Sequence, residues 1–348
     1  MRFLIIVLLL LHSLAHLAAL SQDMSTAAGV GWLMAALLFA GAAVLVFIRK
    51  AWWALGLPAV LVSQVLVILF WQDAKLGTVA NLLIALAALL HWAQWRFQQE
   101  TNREIQALLQ ADAGAEMIVT ENMLQELPAP VQRWLQAIGL VGRRSIRSVH
   151  LRQHGWMKLK PEQKKWTEAV AEQYTTTAVP AFLWQARMKF LPFLHVSGRD
   201  LFQGGHGSMI IQLASLLPVA RVSHNAKVDQ SSLQRYLMEL PWYPSAALQP
   251  YITWEGIDHT SAKATMTYND VSGSATFLFS EAGELQEIHA WRYKDSDEQA
   301  VPMECVGAVR EQKVMDGIRV PTKLDISWLL PQGPFTWYRL EISGLAYK

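Results

Sequence analysis

Charge is almost absent from the first quarter of the chain. Between Phe3 and Trp95 only Asp23, Arg49, Lys50, Asp73 and Lys75 carry it, and nearly all the rest follows Arg96. A soluble domain spreads charge over its surface, so this stretch is no ordinary water-exposed fold. The one cysteine, Cys305, excludes an intrachain disulfide and fits a reducing compartment. The chain also has no Gly-x-Ser-x-Gly elbow, His-Glu-x-x-His, Gly-x-x-x-x-Gly-Lys or Cys-x-x-Cys, so the common hydrolase, zinc-protease, nucleotide-loop and thiol-redox signatures are missing. A net charge of +2, without a stacking or helix-turn-helix motif, argues against nucleic acid as a partner.

What fills the bare stretch is hydrocarbon. Four segments, Phe3–Leu20, Ala28–Ile48, Trp52–Trp71 and Leu76–Trp95, approach the roughly 20 apolar residues that a bilayer core requires. The breaks at Ser21–Ala27, Arg49–Ala51 and Gln72–Lys75 are short enough to make neighbouring helices antiparallel. Trp52, Trp53, Trp71, Trp92 and Trp95 lie near segment ends, where indoles favour the membrane interface. Arg2, Arg49, Lys50, Arg96 and Arg103 fall on one side and only Lys75 on the other. The positive-inside tendency therefore predicts a cytoplasmic N-terminus and a cytoplasmic domain after Trp95, in the cell (inner) membrane. The first segment also has the look of a signal peptide. Its removal would leave three spans and the same side for the domain.

Polar residues within spans are costly and mark function or helix–helix bonding. His12 and His16 are four apart and share a helix face, so they are the candidates for a metal, haem or proton-relay site. The plainer alternative is hydrogen bonding with Ser13, Ser63, Gln64 or Asn81. No cofactor and no metal is expected. No carboxylate lies inside a segment, which argues against an ion-driven transporter.

After the spans, Phe97–Gln110 continues as a helix, Thr120 can cap a short helix that ends at Pro128-Ala-Pro130, and Val131–Ile138 forms another that stops at Gly139. From Arg147 the apolar period becomes two, as in Phe182, Trp184, Ala186 and Met188, or Ala262, Ala264, Met266 and Tyr268. Turn signals at Asn269-Asp270, Glu281–Glu284, Asp316-Gly317 and Gln332-Gly333 make the last strands consecutive hairpins. Nine to eleven strands are expected, with one amphipathic helix at Asp229–Leu240. The sequence thus predicts a multi-pass membrane protein. Residues 1–95 form four transmembrane helices and 96–140 a helical stalk. Residues 141–348 form an α+β, mainly antiparallel β domain, either a barrel or a curved half-barrel sheet around helices.

The inward face, with Phe182, Trp184, Met188, Trp254, Met266 and Trp291, is the expected lining for an apolar ligand. Glu255, Asp258, Arg199 and Asp200 are the candidates for acid–base or metal chemistry. Gly204-Gly-His-Gly207 is expected to be a hairpin turn, and Arg187 is a cross-strand partner for Glu172. The basic run Arg143, Arg144, Arg147, Arg152, Lys158, Lys160, Lys164 and Lys165 can face anionic headgroups or plain solvent. Three roles follow: binding a lipid or other apolar small molecule, an enzyme acting on a membrane-derived substrate, or a partner of another membrane protein.

His12-Ser-Leu-Ala-His16 is similar to the His-Gly-x-x-His start of a group of uncharacterised bacterial membrane proteins, with Ser13 where the group usually has glycine. The later half resembles their domain of unknown function at Leu127-Pro-Ala-Pro-Val-Gln-Arg133, Ala171-Glu-Gln-Tyr174, Trp184-Gln-Ala-Arg-Met188, Gly198-Arg-Asp200, Arg235-Tyr-Leu-Met-Glu239 with Trp242, Tyr251-Ile-Thr-Trp-Glu255, Arg292-Tyr293 and Arg319-Val-Pro-Thr322. The resemblance implies membership and brings no activity, cofactor or catalytic residue with it.

Overall fold

The computed structural model describes residues 2–20, 27–112, 114, 116–191 and 194–348, so most of the break expected at Ser21–Ala27 lies outside the described residues. The chain divides into two compact units, Met1–Glu100 with Ala214–Leu216, and Thr101–Leu213 with Leu217–Lys348.

The first unit is built from α1 (Arg2–Leu20), α2 (Ala27–Phe47), α3 (Trp53–Leu69), the single turn α4 (Trp71–Ala74) and the start of α5 (Gly77–Ala111). By length and composition, three of these, α1, α2 and α5, can cross a membrane. The expected third span is shorter than its apolar run, because α3 has 17 residues and ends at Phe70, whose ψ of 42° leaves the helical region. Trp71 therefore belongs to a separate turn. Close packing is set by small residues: Ala35, Ala42, Ala59 and Ala88 are fully buried, and Ser13 Oγ donates to the Ala36 carbonyl at 2.8 Å.

The second unit holds the last turns of α5, then α6 (Ala129–Ala137) and α7 (Ala226–Met238). Its strands are β1 (Ser148–Met157), β2 (Thr167–Thr176), β3 (Ala181–Leu191), β4 (Leu194–Gln203), β5 (His206–Leu213), β6 (Leu217–Val222), β7 (Ile252–Gly256), β8 (Ser261–Tyr268), β9 (Val271–Phe279), β10 (Leu285–Tyr293), β11 (Pro302–Met315), β12 (Ile318–Leu330) and β13 (Gly333–Tyr347). All thirteen form one antiparallel sheet in the order β6-β5-β4-β3-β2-β1-β13-β12-β11-β10-β9-β8-β7. The number exceeds the nine to eleven expected because the edge strands β6 and β7 are six and five residues long, and Pro218 interrupts β6. An edge tolerates such a residue, but it hides the strand from a periodicity reading.

The path of the chain explains the curvature. It runs from β1 outward to the edge β6, crosses through α7 to the opposite edge β7, and returns strand by strand to β13, which pairs with β1. The sheet curls until the β4–β5 turn meets the β8–β9 turn, where Asn269 Nδ2 donates to the Gly204 carbonyl at 3.1 Å. These turns are built as their residues dictate: Asn269 and Asp270 have φ of 46° and 63°, and Asp316 and Gly317 have 47° and 81°, the left-handed pair of a tight hairpin turn. Gly204-Gly205 is a turn of the same kind, as expected.

The crossover helix lies inside the curl. Asn225 caps it, its Oδ1 accepting from the Lys227 and Val228 amides at 2.9 and 3.2 Å. A side chain at Gly207 would overlap Ser232, and one at Gly273 would overlap Gln234, so α7 sits directly on strands from both arms. Past His289, β9 and β10 no longer pair, and Gln234 Nε2 bridges the gap by donating to the Ser274 and Trp291 carbonyls at 3.2 and 2.8 Å. One half of the trough is thereby packed solid: Trp134, Leu135, Tyr236, Leu237, Tyr243, Phe277 and Met266 are all within 1% of full burial. Burying apolar surface contributes about 25 cal/mol per Å², so this plug stabilises the curled sheet.

Candidate functional site

The inner face changes character along the strands. On β3 the inward residues run Phe182, Trp184, Ala186, Met188. Phe182 belongs to the packed half, beside Phe202. Trp184 stands opposite Asp200 on β4 and Gln173 on β2, and here the trough becomes polar.

Arg235 of α7 organises this layer. It donates from Nη1 to Asp200 Oδ2 at 2.7 Å, from Nε to Glu239 Oε1 at 2.8 Å, and from Nη2 to Gln173 Oε1 at 3.4 Å. Its guanidinium lies 4.8 and 4.9 Å from the ring centres of Phe182 and Trp184. Gln173 Nε2 donates to the second oxygen of Glu239 at 2.5 Å. Gln153 Oε1 accepts from Trp184 Nε1 at 3.0 Å and from the Tyr338 hydroxyl at 3.2 Å. Burial pulls the Arg235 guanidinium down, but Glu239 and Asp200 beside it win and hold it above its ordinary value. Burial lifts the Asp200 carboxyl above the usual carboxylate range, with Arg235 pulling against it.

A second cation lies further round the same face. Arg292 of β10 donates to the Ser231 carbonyl at 2.9 Å and sits 5.8 Å from the Trp328 ring, beside Cys305. Its Nε is buried without a hydrogen-bond partner. Burial lowers the Arg292 guanidinium and raises the Cys305 thiol.

Beyond the layer the inward residues are apolar but less covered. Met188, Trp184, Trp328 and Phe335 keep 7–9% exposure, and Val196, Ile211, Leu213, Met303, Ile326 and Leu330 are half-buried. The trough is therefore plugged at one end, polar at mid-depth, and incompletely covered apolar surface at the other.

The expected site residues distribute as follows. Phe182, Trp184, Met188, Trp254 and Met266 are on the inner face, and of these only Trp184 and Met188 adjoin the less covered half. Trp291 is on the outer face and 65% exposed, because Ile288, Ala290 and Arg292 take the inward positions of β10. Arg199 and Asp200 part company: consecutive strand residues face opposite ways. Asp200 meets Arg235, whereas Arg199 is buried on the outer face in a 2.7 Å ion pair with Glu104 of α5. Glu255 is exposed, and exposed Asp258 closes a turn by accepting the Thr260 amide at 2.8 Å, a bond that lowers its carboxyl. Neither joins the inner layer. Glu172 meets Arg152 at 3.8 Å rather than Arg187, which stands opposite Val170. Arg235, Glu239, Gln173, Gln153 and Arg292 are the residues that motif reasoning missed. The signal was there in Arg235 and Glu239, an i, i+4 pair on the inward-facing side of an amphipathic helix.

In the first unit, His12 Nε2 lies 2.9 Å from Asn81 Oδ1 and 3.2 Å from Ser63 Oγ, and His16 Nε2 lies 2.9 Å from the same Ser63 Oγ. Asn81 and Thr78 are tied in turn through Gln64. Among the described residues no group of three or more His, Cys, Asp or Glu is placed to hold a metal ion.

Residues 125–347 match the family of unknown function DUF6920, which takes in the whole sheet. The chain belongs to the DUF6920 family. Its half-barrel, from β1 to β13, is thus the part that defines DUF6920, and the apolar helices precede the matched region. No curated protein matches the chain.

Proposed function

We propose that the chain is a multi-pass protein of the bacterial inner membrane whose half-barrel domain is cytoplasmic and holds an amphipathic, lipid-like molecule. In this proposal α3 is the fourth span: 17 residues rise about 26 Å, close to the roughly 30 Å hydrocarbon core. The basic residues Arg2, Arg49, Lys50, Arg96 and Arg103 set the orientation.

The observation that carries the ligand is the incompletely covered apolar half of the trough, floored by a buried polar layer. Met188, Val196, Ile326 and Phe335 offer an apolar wall for a chain, while Arg292 presents a buried nitrogen without a partner. An amphiphile satisfies both: its tail covers the wall and its polar end meets the layer. A purely hydrocarbon guest would leave the layer uncompensated. Binding is preferred over catalysis because Asp200 and Glu239 are already both engaged by Arg235.

The test is a photoactivatable fatty acid presented to the full chain in lipid nanodiscs, with cross-links mapped by peptide mass spectrometry. Cross-links should fall on β1, β3, β12 and β13, and Trp184→Glu should remove them while leaving the circular dichroism spectrum unchanged. Cross-links confined to the apolar helices, with none in the β domain, would refute the proposal.

A further inference from the structure

Four neighbouring strand pairs turn at the same end of the trough. These are β5–β6, β3–β4, β1–β2 and β12–β13, consecutive in the sheet order. Paired strands lie about 4.8 Å apart, so successive turns stand about 10 Å apart along one rim. Each turn carries or adjoins an exposed large aliphatic residue: Leu159 (62%) lies in its loop, and Leu217 (58%), Val219 (63%), Leu191 (54%) and Leu329 (39%) lie in the strand residues beside theirs. Isolated exposed apolar residues are ordinary, but a row of them along the ends of adjacent hairpins is not. The opposite end of the sheet turns through Gly204-Gly205, Glu281–Glu284 and Asp316-Gly317, with Met117, Ile118, Ile257 and Val314 as its exposed apolar residues and no lysine-rich loop among those turns.

One turn in the aliphatic row is also strongly basic. The loop between β1 and β2 contains Lys158, Lys160, Lys164 and Lys165 against a single acid, Glu162. The loop is held in shape: Gln163 accepts from the Leu159 amide at 2.9 Å and donates to the Lys165 carbonyl at 2.7 Å, and the Lys158 ammonium lies 4.9 Å from the Trp166 ring. Leu159 and its lysines are therefore presented outward as a unit. Further round, the rim changes sign at the β10–β11 loop, where Asp295, Asp297 and Glu298 outnumber Lys294.

We infer that this sector of the rim rests on an anionic bilayer surface, with the aliphatic tips entering the headgroup region and the lysines meeting lipid phosphates. Lysines near such a surface and shallowly inserted aliphatics are the two attractions that hold a domain against a membrane. The geometry also gives a route for an amphiphile, since the less covered half of the trough opens at this same end of the strands. The inference rests on the membrane-anchored reading above, but not on the presence of a ligand.

The test uses the full chain in nanodiscs with a single environment-sensitive fluorophore attached to cysteine in a Cys305→Ser background. Labels at Leu159→Cys and Leu217→Cys should shift to the blue and lose most of their emission to lipid-borne quenchers in discs containing phosphatidylglycerol. A label at Ala282→Cys, at the opposite end, should do neither. Replacing the four loop lysines with glutamine should abolish the response at Leu159→Cys. A protein that co-elutes with discs while labels at 159 and 217 behave like the one at 282 overturns the rim inference alone. A protein that does not co-elute overturns the membrane reading with it.

Discussion

Arg235→Leu probes the buried layer most sharply. The arginine side chain is 18% exposed and serves two carboxylates at 2.7 and 2.8 Å, so its removal strips Asp200 and Glu239 of the cation that pairs them and leaves only the more distant Arg292. Breaking a buried ion pair by deleting one partner costs about 3–5 kcal/mol, which for a domain of this size lowers Tm by on the order of 6–20 °C. The pH dependence fixes the mechanism. Burial already raises the Asp200 carboxyl with Arg235 present; without it the largest downward pull is gone, and burial and Glu239 push upward against Arg292 alone. A carboxyl whose folded pKa is raised contributes most below its unfolded value, near 4, and that contribution is lost as pH rises through the folded pKa. The deficit of Arg235→Leu should therefore be largest at neutral pH and shrink as pH falls towards 4. Replacing all three groups by apolar residues, Asp200→Leu with Arg235→Met and Glu239→Leu, should restore most of the loss, because it removes the stranded charges as well. The assay is thermal unfolding of the detergent-solubilised chain followed by far-ultraviolet circular dichroism. An Arg235→Leu melt within about 2 °C of the parent, or a deficit that does not vary between pH 7 and pH 5, would refute the reasoning.

Two further outcomes are expected. An alkaline phosphatase fused after Lys348 should be inactive and a green fluorescent protein fused there should fluoresce; an active phosphatase would reverse the topology. His12→Ala and His16→Ala should leave purified protein with the same metal content and absorption spectrum as the parent, since Ser63 engages both imidazoles and Asn81 also engages His12. A Soret band or stoichiometric metal lost in either variant would contradict that.

The hairpins and the amphipathic helix were legible because they depend on local rules. Asn269-Asp270 and Asp316-Gly317 adopt the positive φ their composition favours, and the helix expected at Asp229–Leu240 begins three residues earlier only because Asn225 caps it. Period two also placed Phe182, Trp184 and Met188 on one face correctly. It failed at Trp291, since a bulky aromatic does not by itself say which side of a strand is inward. The polar layer was invisible for a different reason. Asp200, Gln173, Gln153 and Arg292 come from β4, β2, β1 and β10, and only the curl of the sheet and the crossover of α7 bring them together. Adjacent acidic and basic residues such as Arg199-Asp200 suggest a shared site in sequence, and the pleat separates them.

The measurement that bears most directly on the ligand proposal is native mass spectrometry of the full chain released from detergent. The proposal predicts one amphipathic molecule per chain that survives conditions stripping loosely held lipid, and its loss in Trp184→Glu. A parent protein that flies at its bare mass of 39.1 kDa under those conditions, with the β domain still folded, would contradict it.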